Sequence, residues 1–154
     1  MTEIVQATSQ DGLDAARRLF VEYAASLDID LGFQDIASEL EGLLGEYVPP
    51  SGALFLAIEG GEAVGCVALR PFEPPRVAEI KRLYVVPAAR DRGLGTGLSE
   101  AAVGAARAAG YERVRLDTLS TMQAAQRLYE RLGFHDIAAY RHNPHEARYL
   151  ELEL

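Results

Sequence analysis

Residues 90–97 read Arg-Asp-Arg-Gly-Leu-Gly-Thr-Gly, between a β-branched apolar run and a stretch of small residues. This segment constrains the chain more tightly than any other. Gly93, Gly95 and Gly97, at alternate positions, strip side chains from a strand-to-helix turn, so that backbone N–H groups can converge on an anion. The positive end of the following helix adds to that field, and Arg90 and Arg92 stand beside it. A diphosphate is the kind of ligand such a loop fits. Two familiar phosphate loops are excluded by residue type. A nucleotide-hydrolysing loop needs Gly-Lys-Ser/Thr where this chain has Gly97-Leu98-Ser99, and a dinucleotide fingerprint needs a third glycine where it has Leu98.

The pattern on either side predicts alternating strands and helices. Residues 3–7 read as a first strand and residues 12–26 as a helix, with Leu13, Ala16, Leu19, Phe20 and Tyr23 on its apolar stripe. A second helix is expected over about residues 34–47, with Ile36, Leu40, Leu43 and Leu44 inward and Pro49-Pro50 ending it. Residues 53–59 and 63–69 predict a hairpin across Gly60-Gly61. Residues 77–86 form a long strand that Pro87 stops, and the glycine loop leads into a helix reaching about Ala109. The small residues of that helix would let its axis lie close to the sheet. A strand at 113–117, a helix carrying Tyr129 and strands at 134–139 and 147–153 complete the chain. The sum is an α/β fold, a mixed, largely antiparallel central sheet flanked by helices, in a single domain spanning residues 1–154. A chain of 154 residues buries a core without disulfides or metals.

Two motifs carry a family resemblance. Arg90-x-x-Gly93-x-Gly95 resembles the coenzyme A pyrophosphate loop of the GCN5-related N-acetyltransferases, the GNAT family. Downstream, Leu128-Tyr129-Glu130-Arg131-Leu132-Gly133-Phe134 is similar to that family's second signature, a helix ending on glycine before the next strand. Helical spacing of Ala124, Ala125, Leu128, Tyr129 and Leu132 agrees, and Gly133 suits a left-handed C-terminal cap. The two motifs stand in the family's order and together cover about the C-terminal half of the chain.

The resemblance implies an acetyl-CoA-dependent N-acetyltransferase that moves an acetyl group to a primary amine by direct transfer in a ternary complex. It makes Tyr129 the donor of a hydrogen bond or proton to the coenzyme's sulfur, a task suited to a phenol that stays protonated at neutral pH. Glu79 matches the spacing of the family's general-base glutamate, and burial among apolar neighbours would raise its pKa; the plainer reading is a surface carboxylate paired with Lys81 or Arg82. Main-chain groups of Leu83, Tyr84 and Val85 are expected to run beside the pantetheine arm and to supply the oxyanion donor. Arg90, Arg92, Gly93, Leu94, Gly95 and Thr96 are expected at the pyrophosphate. One departure stands out. Many relatives carry an asparagine seven positions before the tyrosine, and here that position is Met122, so its cofactor contact must come from Gln123 or Gln126 or be absent.

Charge and composition set the remaining expectations. The net charge of −8 speaks against a nucleic-acid partner, whose footprint is a basic face. No Lys or Arg occurs from Ala24 to Leu69, whereas residues 70–92 hold Arg70, Arg76, Lys81, Arg82, Arg90 and Arg92 against Glu73, Glu79 and Asp91. Solvated helix faces account for such a division, and so does a basic end for a polyanionic cofactor opposite an acidic approach for a cationic amine. The acidic 28–32 segment and the polar 140–145 segment are candidate rims for a small or amino-acid-like acceptor. Three scattered histidines and one cysteine give no metal-ligand spacing. Cys66 lies in an apolar strand, reads as a buried structural thiol in a reducing cytoplasm, and makes a poor covalent intermediate. No apolar run is long enough for a membrane span. Acetylation of a protein lysine or N-terminus, and a non-catalytic acyl-CoA sensor, remain as alternatives. Family habit implies a homodimer through the C-terminal strand, while Glu151 and Glu153 would equally protect that strand as an exposed edge.

Overall fold

The computed structural model describes residues 2–26, 47, 51–73, 75–119, 122–141 and 146–154. The expected second helix, Tyr47 apart, the acidic 28–32 rim and residues 142–145 of the polar loop lie outside the described residues. Among the described residues the chain runs β1 (Thr2–Gln6), α1 (Gln10–Ser26), β2 (Ala53–Glu59), β3 (Glu62–Glu73), β4 (Val77–Val85), a 3₁₀ turn (Pro87–Ala89), α2 (Leu94–Ala108), β5 (Arg113–Leu119), α3 (Gln123–Arg131), β6 (His135–Asp136) and β7 (Ala147–Glu153). The seven strands form one sheet in the order β1-β2-β3-β4-β5-β7-β6. Every neighbouring pair is antiparallel except β4 and β5.

Alternation along the strands divides the core between the two sheet faces. Leu54, Leu56, Cys66, Ala68 and Tyr84 meet Leu13, Ala16, Leu19 and Phe20 of α1. On the opposite face Ala57, Val67, Leu69, Ala78, Ile80, Val114 and Leu116 meet Leu94, Leu98, Ala102 and Ala106 of α2 and Leu128 and Tyr129 of α3. The close approach of α2 to the sheet depends on a glycine in the sheet. A Cβ built on Gly65 of β3 would lie 3.0 Å from Leu98 Cδ1 and 3.1 Å from the Tyr84 carbonyl oxygen, so Leu98 occupies the space a side chain would take. Gly104 of the helix, by contrast, has nothing within 4 Å of that position.

Several boundaries differ from the sequence expectation. β3 continues through Arg70 and Phe72 to Glu73, and β5 to Leu119, because β4 and β7 supply ladder partners that far. The strand expected over 134–139 shrinks to His135–Asp136. Beyond it Ile137 keeps one bond to the Tyr149 carbonyl, and Tyr140 then turns inward. β7 is not the open edge expected for it, since β5 and β6 flank it. Glu151 is buried there and accepts a 2.7 Å bond from Arg115 Nε, which removes its part in protecting an edge.

β4 and β5 pair only from Val77/Arg113 to Glu79/Arg115. Past that point β4 runs on to Val85 against β3, β5 runs on to Leu119 against β7, and the two part. A register shift at Cys66/Ala68 faces Arg82, whose φ is +60°, and the Cys66 thiol donates to the Arg82 carbonyl at 3.4 Å. Such a bulge bends and twists the strand that carries it. Because Leu98 locks α2 to this region, Leu98→Ala is expected to cost about 2–5 kcal/mol in urea denaturation. A loss below about 1 kcal/mol would show that Gly65 does not set the helix position.

Candidate active site

The parting of β4 and β5 creates a gap at mid-sheet, and the residues singled out in the sequence gather round it. The glycine loop lies at the end of β4. Gly93 has φ +80° as the N-cap of α2, without a side-chain cap bond, and Asp91 also has positive φ at +65°. Any side chain at Gly93 would be strained there. The first-turn N–H groups of Leu94, Gly95 and Thr96 have no partner one turn back, which is the donor set an anion needs. Arg90 donates from Nε to the Val85 carbonyl at 2.9 Å and lies over the Tyr84 ring. Arg92 pairs with Glu59 at 2.5 Å and reaches the Ala88 carbonyl. Both cations therefore stay beside the loop, and the Arg92 hydrogen bond holds Glu59 below the usual carboxylate range.

Tyr129 comes from the other side of the gap. It is buried on α3, its ring 5.4 Å from Phe134, and its hydroxyl has no hydrogen-bond partner among the described residues. Burial raises its pKa, helped by the negative charge of Asp117 on β5. The α3 end that aims it closes as expected. Gly133 has φ +100°, and Phe134 N–H bonds back to the Tyr129 carbonyl at 3.0 Å. Of the residues near the missing asparagine, Met122 Sδ accepts from the Thr118 hydroxyl and Gln123 is exposed. Gln126 donates to the Leu119 carbonyl at 3.0 Å and accepts from Arg148 at 3.3 Å. Its amide thus ties α3 to the end of β5.

Glu79 sits where β4 and β5 part, fully buried, and the expectations for its surroundings need correction. Its neighbours are polar, and its partners are neither Lys81 nor Arg82. Arg70 bonds one carboxylate oxygen through Nε and Nη2, both at 2.9 Å. Arg141 Nη2 bonds the other oxygen, and the Tyr140 hydroxyl donates to that same oxygen at 2.8 Å. Burial alone would push Glu79 up, but the Arg141 hydrogen bond and charge, with Tyr140 and the Lys81 charge, hold it below the ordinary glutamate value. The anticipated rise in its pKa is therefore overturned: it is a locked anion. The partners come from residues 140 and 141, which the sequence offered only as a loop rim. Asp117, at the mouth of the gap, was read only as the last residue of a strand. Arg115, with Glu73 and Glu151, extends the same charged cluster along β5.

Comparison with known proteins identifies the family and the fold. The profile of the Acetyltransferase (GNAT) family matches residues 13–134, and the chain belongs to that family. An uncharacterized N-acetyltransferase of Schizosaccharomyces pombe is 40% identical over 92% of this chain and 88% of its own length. An N-acetylaspartate synthetase of Danio rerio is 30% identical over 73% of this chain and 41% of its own. A GNAT-family acetyltransferase from Staphylococcus aureus superposes with a TM-score of 0.84 at 17% identity, covering 99% of both chains. An acetyltransferase of Salmonella typhimurium, solved with acetyl-CoA, gives 0.75 at 18% identity over 99% of this chain and 94% of that one. The last two show the fold.

The Glu79 network makes a prediction about acid stability. A carboxylate with a depressed folded pKa adds stability that is complete above its unfolded value, about 4.3, and is lost as pH falls through the folded value. The melting temperature should drop below about pH 4. Glu79→Gln should be less stable at pH 7 and show a shallower acid fall. Parallel Tm–pH curves for the two proteins would contradict the locked anion.

Proposed function

We propose that this chain transfers the acetyl group of acetyl-CoA directly to the primary amine of a small, amino-acid-like acceptor. The observation that carries the reading is the gap between β4 and β5, with an unpaired helix start at the end of β4 and the buried Tyr129 on α3 beyond it. Pyrophosphate on the N–H groups of Leu94, Gly95 and Thr96, with Arg90 and Arg92 alongside, would direct the pantetheine arm along β4. There Leu83, Tyr84 and Val85 have no β5 ladder partner among the described residues, and apart from the Val85 carbonyl, which accepts from Arg90, this favours bonding of an extended amide chain as a strand would. The bulge at Arg82 favours a main-chain N–H turned toward the thioester oxygen, the donor an oxyanion requires.

Acetyl-CoA supplies the acetyl thioester. The acceptor nitrogen, after losing a proton to solvent, forms the new C–N bond at the acetyl carbon as the C–S bond breaks. Its second proton leaves with amide formation, and the departing sulfur takes one proton, so the net products are amide, CoA thiol and one proton. Tyr129 is the residue we assign to the sulfur. Its raised pKa keeps it a donor at every working pH, and its hydroxyl has no competing partner among the described residues. For Glu79 the geometry favours holding Arg141 and Tyr140 over accepting the amine proton, because both of its oxygens are engaged and its basicity is lowered. Likeness to an N-acetylaspartate synthetase supports an amino-acid-like acceptor over a protein side chain.

Steady-state assays with acetyl-CoA and a panel of amines, read by thiol release, test this. Amine-dependent release is expected, and Tyr129→Phe should lower kcat about 100-fold with little change in the KM for acetyl-CoA. Tight acetyl-CoA binding without turnover on any small amine would favour a sensor or a protein acceptor. An undiminished kcat in Tyr129→Phe would remove the donor role.

A further inference from the structure

Asp117 and Arg141 form a charge pair that the motifs do not mention and that lies beside the gap. Asp117 Oδ1 and Arg141 Nη1 stand 3.8 Å apart, with side chains 19% and 29% exposed. That separation is too long for a hydrogen bond between them. Neither group is loosely held. Asp117 is two residues beyond Arg115, on the same face of β5, where β4 has already departed and β7 still fixes the backbone through Tyr149. Arg141 Nη2 is tied to the buried Glu79 carboxylate, its guanidinium lies 5.1 Å from the Tyr140 ring, and its carbonyl accepts the Tyr149 hydroxyl at 3.0 Å. The charge of Asp117 acts on Tyr129 as well as on Tyr140 and Arg141.

We infer that this pair is the acceptor subsite and that it selects α-amino acids, with Arg141 receiving the α-carboxylate and Asp117 the α-amino group. This deepens the function proposed above and rests on it. A preorganised cation and anion, half-shielded from water and not hydrogen-bonded to each other, offer a zwitterion one partner for each of its charges. The order of the two charges also fits the chemistry. The amine must approach the thioester, and the anionic partner is the one whose field reaches Tyr129. Glu79 then gains a purpose in acceptor recognition. Fully buried and ionised, it fixes the plane of Arg141 through Nη2, while Nη1, on the Asp117 side, has no hydrogen bond among the described residues and is the donor we assign to the α-carboxylate.

The test compares each of a set of α-amino acids, acidic ones included, with its α-carboxamide and its decarboxylated amine, all with acetyl-CoA. For the best acceptor, kcat/KM should exceed that of the carboxamide by about 100-fold, carried chiefly by KM. The amine of a carboxamide is less basic and more of it is neutral at pH 7, which works against this preference and sharpens the test. Arg141→Gln should bring acid and carboxamide within about threefold, and Arg141→Lys should restore part of the difference, since the charge returns without the planar fork. Asp117→Asn should depress acids and carboxamides alike. Acetyl-CoA affinity and thermal melting of each variant check that it folds, and the wild-type comparison stands without any variant. Equal use of acid and carboxamide by the wild type would overturn the subsite while leaving the transferase intact. So would an acid preference that survives Arg141→Gln. No turnover with any amine would overturn the small-acceptor reading and this inference together.

Discussion

The site depends on the parting of two parallel strands. β4 and β5 share three residue pairs and then separate, each held on its outer side by an antiparallel neighbour. A sheet that loses a ladder at its centre exposes main-chain groups that must find partners in solvent or ligand. The cost of leaving them unpaired in the interior is the reason such a gap survives only where it is functional. Everything placed around it follows from that one divergence. The glycine loop sits at the end of β4, Tyr129 reaches in from α3, and Asp117 approaches near enough for its charge to act on the Tyr129 phenol. The bulge at Arg82 and the Leu98–Gly65 contact hold β4 and α2 in the positions that keep the gap open.

A carboxylate buried beside such a gap is costly, by several kcal/mol unless it is paired and hydrogen-bonded. Glu79 meets that demand with Arg70 on one oxygen and with Arg141 and the Tyr140 hydroxyl on the other. The same bonds that make its charge tolerable make it a weak base. They also order the segment after β6 against the sheet, with Tyr140 packed on Phe72 and Tyr149 at 4.9 and 5.1 Å between ring centroids. Packing and electrostatics thus share one set of side chains, the same set to which we assign acceptor recognition.

What the sequence made legible was what depends on local residue type. The anion loop needs glycines and the α3 cap needs Gly133, and both are in the sequence at the positions where they act. The hairpin followed from the Gly60-Gly61 turn between two apolar runs, and the core role of Cys66 from the apolar strand around it. The misses share another cause. The partners of Glu79 lie nine and about sixty residues away, and no spacing rule connects them. The strand expected over 134–139 stops short, because its end is decided by Tyr140 being drawn to a buried carboxylate. Asp117 gave no signal because a strand-terminal aspartate is ordinary until the neighbouring strand is known to have left.

Hydrogen exchange of the backbone amides with and without acetyl-CoA tests the central claim most directly, because it reports on β4 itself. Past Glu79 that strand has no β5 partner, so its inner amides should exchange readily in the free protein. The account predicts that acetyl-CoA slows exchange over residues 80–85 and 94–96 together, as the pantetheine arm and the pyrophosphate take up those donors. Binding that leaves residues 80–85 unchanged, or protects only elements away from the gap, would contradict it.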